Sequence, residues 1–172
     1  MAFGDKPYGL RDVKIADDDG SNPVDLPVAQ TLSFTERINN AELRGDDSVA
    51  AVVANTEVVE WSLEAGGISL GAWAKLTGRT NATSGTTPSQ ITTYTAAADD
   101  QFPYLQIIGK SVGDGADDIH VRFYKAKVTS LQGSFGDQEF FITECSGVAI
   151  DDGANGIMDI IQHETAADIS FS

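Results

Sequence analysis

Apolar and polar positions alternate with a period of two along most of the chain. In residues 28–36 the pattern sets Val28, Leu32 and Phe34 on one face with Gln30, and Ala29, Thr31, Ser33 and Thr35 on the other. In residues 57–65, Val59, Trp61, Leu63 and Ala65 face one way, while Val58, Glu60, Ser62 and Glu64 face the other. A two-residue period with one apolar face describes a strand lying on a core. The same reading predicts strands over 10–16, 90–96, 104–109, 119–131, 139–150 and 157–163. Between them stand "DDDGSNP", "EAGG", "GRTNATSGTTPS", "GDGADD", "QGSFGDQ" and "DDGANG", turn chemistry built on Gly, Asp, Asn and Pro. Short strands punctuated this regularly predict an all-β sandwich or barrel.

Two segments depart from this rhythm. In 119–131, Val121 and Phe123 share one face, but Tyr124, Ala126 and Val128 share the other. The apolar side changes near Tyr124 and Lys125, as at a bulge or where a strand passes between environments. Both faces of this strand are therefore expected to be covered, one by the core and one by a neighbouring subunit. In "ISLGAWAKLTG", Ile68, Ala72, Trp73 and Leu76 recur at helical spacing. A short flanking α-helix over about 69–77 follows, with Ser69 as N-cap, Gly78 as its stop, and Trp73 and Leu76 as anchors. The polar stretch 78–90 reads as a mobile loop.

The 172 residues fit one domain, and a chain of this length buries enough surface to fold without disulfides or metal. No apolar run reaches the length of a membrane span, and the first residues carry no apolar signal core. Cytosolic synthesis is expected. With 26 acidic against 11 basic side chains the formal charge is −15, which argues against a protein that grips nucleic acid.

Catalytic chemistry finds little support. His120 and His163 lack the spacing of a metal pair, and Cys145, the single cysteine, reads as a packing residue. The pairs Asp46–Asp47, Asp99–Asp100, Asp117–Asp118 and Asp151–Asp152 read as solvated turns. Asp17–Asp18–Asp19–Gly20 lacks the alternating acids and closing Glu of a calcium loop. Asn81–Ala82–Thr83 is a formal glycosylation sequon and marks an exposed loop, and Arg44–Gly45–Asp46 reads as a glycine bend between charges rather than an adhesion motif. Neither cofactor nor metal is predicted.

The order of features carries a resemblance. "VAQTLSFTE" leads into "NNAELRGDDSVAAVV"; then come "NTEVVEWSLEAGGIS", the helix "LGAWAKLTG", a Thr/Ser-rich loop and two long final strands ending in "FFITECSGVAI". This resembles the major tail tube proteins of long-tailed bacteriophages over roughly residues 26–150, chiefly through "LRGDD", "EWSLEAGGI" and the final strand pair. The resemblance implies a β-sandwich with a flanking helix, six-membered rings closed around a continuous inner barrel, and stacking into a hollow tube that conducts DNA. It implies further copies of the chain, tail terminator, tape measure and distal tail proteins as partners, in a virion tail assembled in a bacterial host. Segment 39–55 falls where the family has an extended inter-subunit loop. Glu42, Leu43, Arg44, Asp46, Asp47, Val49, Val52 and Val53 are then its contact residues, and Val121, Phe123, Tyr124 and Val128 mark the two-sided strand at the inter-subunit sheet. The acids facing the lumen stay unassigned. Two alternatives remain: the inner tube of a contractile tail or injection system, and a carbohydrate-binding β-sandwich module.

Overall fold

The computed structural model describes residues 7–26, 28–45, 48–113 and 117–171. Alternation produces the strands β1 (Tyr8–Asp17), β2 (Val24–Asp25), β3 (Ala29–Gly45) and β4 (Ser48–Gly66), after which helix α1 (Leu70–Thr77) interrupts. The chain continues through β5 (Ala82–Ser84), β6 (Ile91–Thr93), β7 (Leu105–Val112), β8 (Asp118–Ser134), β9 (Ile142–Ala149) and β10 (Met158–His163). All pairings are antiparallel.

The strand β8 joins two layers. Its first half lies between β7 and β10, giving the order β2-β1-β7-β8-β10; its second half pairs β9, giving β8-β9-β4-β3. The change falls at the expected place. Leu105 stands opposite Ala126 and Ile107 opposite Phe123, so Tyr124 and Lys125 together face Gln106 across a bulge. Val121 and Phe123 before the bulge, and Ala126 and Val128 after it, consequently all turn toward one core. That core joins Val13, Ile15, Leu105, Ile107 and Phe123 from the first layer to Val59, Trp61, Leu63, Cys145 and Ala149 from the second. Gly147 is required where it stands: a Cβ there would collide with the Lys127 carbonyl and sit 2.7 Å from Trp61 Cζ2.

The helix forms as its ends prescribe. Ser69 is extended (φ −117°) and its hydroxyl accepts from Ala72 N at 3.3 Å. Gly78 takes the left-handed φ of 72° that stops the helix. Ala72 and Leu76 are fully enclosed, and Lys75 reaches Asp17 at 2.5 Å to tie the helix to β1. Trp73 is only part-buried; its Nε1 donates to Thr143 Oγ1 at 3.1 Å, and Tyr94 and Phe141 pack on it at ring distances of 5.7 and 6.3 Å. Leu76 is thus the core anchor, and Trp73 closes one end of the core.

Several boundaries differ from the alternation. Val28 is exposed with φ 57°, ahead of a register shift between Ala29 and Thr31, so a period counted through it puts it on the wrong face. The strand predicted over 90–96 contracts to β6, which forms a separate two-stranded ribbon with β5, a strand inside the stretch read as loop. The outer face of the first layer is covered by the chain itself. Ala16, Gln106, Ile108, Asp118, His120 and Tyr124 are buried there, and Lys110, Asp118 and Arg122 on that face bond the main chain of Ala167 and Ser170 in the residues that follow β10. Residues 164–171 run along that face, bonded to it at Ala167 and Ser170, while Val121, Phe123 and Val128 turn to the chain's own core.

Candidate assembly interface

Segment 39–55 is no irregular loop: it is the far end of the β3–β4 hairpin. The partner strand β9 accompanies β4 only from Gly66 to Val59, opposite Ile142 to Ala149. Beyond Val59 the hairpin continues alone, pairing Ile38 with Thr56 through to Gly45 with Ser48. At about 3.3 Å per residue this arm projects roughly 25 Å past the sheet. Among the described residues neither of its edges has a further strand neighbour, leaving main-chain donors and acceptors open to pairing.

The arm's side chains divide by register. Ala41 opposes Val53 and Leu43 opposes Ala51, giving one apolar face. Glu42 opposes Val52 and Arg44 opposes Val49, giving a mixed face on which Arg44 Nη2 lies 3.1 Å from Glu42 Oε2. A register shift between Leu43 and Arg44 puts Val49 on the face of Val52. Leu43, Val49, Val52 and Val53 are exposed by 66, 49, 58 and 62%. Large apolar groups on both sides of an unsupported ribbon need cover from outside it. Asp46 and Asp47 lie outside the described residues. At the arm's root, Arg37 pairs with Glu60, and Thr56 donates to Glu36 at 3.0 Å.

The outer face of β8-β9-β4-β3 carries a pattern that individual strands do not reveal. Register aligns Ser33, Ser62, Ser146 and Ser130 in one row across four strands. The neighbouring row reads Thr31, Glu64, Glu144 and Gln132. Ser33 and Ser62 hydroxyls are 2.7 Å apart, and a shallow polar trough runs along these rows. Glu64 directly opposes Glu144, an arrangement that costs stability.

The remaining predicted positions resolve clearly. Val121, Phe123 and Val128 turn inward, while Tyr124 turns outward and its hydroxyl donates to Asp159. Cys145 is enclosed in the core, and burial alone pushes its thiol up to about 12. Asp152 forms a turn: N–H groups of Ala154, Asn155 and Gly156 hold its carboxyl down to about 2. Asp118, read as a solvated turn acid, instead lies buried in β8 beside Lys110 at 2.9 Å. Its position in the sequence "GDGADD" gave no signal of this, since burial depends on residues some fifty positions away. His120 and His163 do meet, with rings 4.6 Å apart, across the β8–β10 pairing. Among the described residues, no group of three or more His, Cys, Asp or Glu side chains could hold a metal, and no helix is long and apolar enough to cross a membrane.

No protein-family description matches the sequence, and no curated protein matches it. Solved structures do. A chain in the cryo-EM structure of the anti-feeding prophage cap, described as the AFP tube terminating cap, is 13% identical and aligns over 94% of both chains with a TM-score of 0.55. A chain of the six-fold symmetrised anti-feeding prophage baseplate aligns over 94% of this chain and 97% of its own, at 12% identity and a TM-score of 0.49, too slight to carry an argument. The first likeness establishes a shared fold across nearly the whole chain.

Proposed function

We propose that this chain is a structural subunit that assembles with copies of itself into a tube-type tail or injection apparatus, with the contractile-type systems as the nearer class. The observation that carries this is the projecting β3–β4 arm, on which Leu43, Val49, Val52 and Val53 stand exposed, uncovered by the other described residues. The fold shared with a chain of the anti-feeding prophage cap supports it. The narrower expectation, the DNA-conducting tube of a long-tailed phage, rests on the sequence resemblance alone.

The arm's geometry suits the work. An extended ribbon with two open edges can add to a neighbour's sheet, main-chain bonds giving affinity and alternate side chains giving register. Contact between a projecting arm on one copy and a different surface on the next is heterologous, and such contacts extend into rings or filaments. In such an assembly, the serine row and the Glu64–Glu144 pair form the surface suited to face the bore. Small hydroxyls and carboxylates give a passing polyanion nothing to hold.

Electron microscopy of concentrated pure protein tests the proposal. Rings or tubes are the expected result. A chain that stays monomeric by light scattering at high concentration, and builds nothing when co-expressed with neighbouring tail components, overturns it.

A further inference from the structure

The residues after β10 cross the outer face of the first layer, and side chains on that face grip their main chain. Ala167 is held at both of its polar groups: its N–H donates to Asp118 Oδ2 at 2.6 Å, and its carbonyl accepts from Lys110 Nζ at 2.5 Å. Three residues on, Arg122 Nη2 donates to the Ser170 carbonyl at 2.6 Å. The Phe171 side chain then lies against Gly20, where an added Cβ would meet its Cβ at 3.0 Å. Asp118 and His120 beneath are only 1% and 3% exposed.

Several of the groups that anchor this segment titrate. Among the described residues it makes no strand pairing, and side chains from the face below bond its main chain. His120 faces Lys110 on β7, Asp118 on its own strand, His163 on β10 and the main chain of Ala167. Arg122 and Asp159 oppose one another in the adjoining β8–β10 pair, Asp159 being engaged by Tyr124. Asp168 of the segment faces Lys14 on β1, which Asp12 and Asp25 also approach.

We propose that segment 164–171 is an acid-released strap, clamped at neutral pH over the Lys110–Asp118–His120–His163 cluster. The geometry supplies the cause. A proton on His120 adds a cation to an enclosed site where Lys110 already pairs with the carboxylate that holds Ala167. Leaving the strap in place then requires burying that charge, whereas releasing it readmits water. Burial first, then His163 and Lys110, holds the His120 pKa below its usual value. The released form therefore takes up the proton first, and the clamp weakens as pH falls below about 6.5. Burial opposes ionisation of Asp118, but Lys110 and the Ala167 N–H outweigh it and hold that carboxyl below the ordinary range. Its contribution, complete above the ordinary carboxylate pKa, disappears only as pH falls through the lowered value, well below the histidine window.

Hydrogen exchange on the full chain, corrected for intrinsic rates, tests this. Protection of 164–171 is expected to fall at least tenfold between pH 7.5 and 5.5, with β4 and β9 unchanged. His120→Gln should retain protection at pH 5.5, and Asp118→Asn should lack it at both pH values. The histidine ring-proton shifts of the unmodified chain give a readout that needs no variant, with a midpoint below 6.5 expected for His120. The strap is refuted by pH-independent protection, by no protection at pH 7.5, by parallel loss in β4 and β9, by unchanged pH dependence in His120→Gln, or by a His120 midpoint at or above 6.5.

Discussion

At the scale of single residues, depth decides consequence. Leu76 is fully enclosed under the helix, so Leu76→Ala should cost about 2–5 kcal/mol, read as a lowered denaturant midpoint with unchanged slope. Trp73 is larger but part-exposed, and Trp73→Ala should cost about 2 kcal/mol, less than a fully enclosed indole. If Trp73 costs more than Leu76, the indole rather than the leucine anchors the helix. Cys145 offers a chemical check. Burial holds its thiol up to about 12, so at pH 8 a thiol reagent should label it only as fast as the chain unfolds. Rapid labelling of native protein would contradict its place in the core.

At the scale of elements, the arm and the body are separable. The sheet keeps its β4–β9 pairing and its core without any residue beyond Val59. Replacing 43–53 by a short Gly-Ser linker should leave circular dichroism and melting near native while stopping assembly in the electron microscope. Unimpaired assembly would remove the arm from the interface; loss of the fold would mean the arm stabilises its own domain. Arg44→Ala is the milder test. With its Glu42 pair at the surface, it should leave stability unchanged within about 0.5 kcal/mol and slow assembly.

At the scale of the molecule, charge governs what the surface accepts. With a formal charge of −15, and Arg37 and Arg44 already paired to glutamates, the chain should show no measurable duplex binding at physiological salt. Micromolar affinity that falls steeply with added salt would reveal a basic surface.

The sequence by itself determined the local elements. Alternation at Val59, Trp61, Leu63 and Ala65 placed the inner face of β4, and the parity change at Tyr124–Lys125 located the bulge where β8 passes between layers. Ser69 and Gly78 bounded the helix, because caps act within a few residues of themselves. These are short-range effects, written in neighbouring positions. The serine row needed four strands brought into register, and nothing near Ser33 specifies Ser146 beside Ser62. The arm's independence from the sheet depended on where β9 ends, and a charged, half-apolar stretch reads as a loop until both strands are seen paired. Burial of Asp118 and the meeting of His120 with His163 came from residues after β10 returning over the first layer. Tertiary structure alone decided these, because burial and register are properties of what chain closure brings together, and alternation records only which side of a strand a residue occupies.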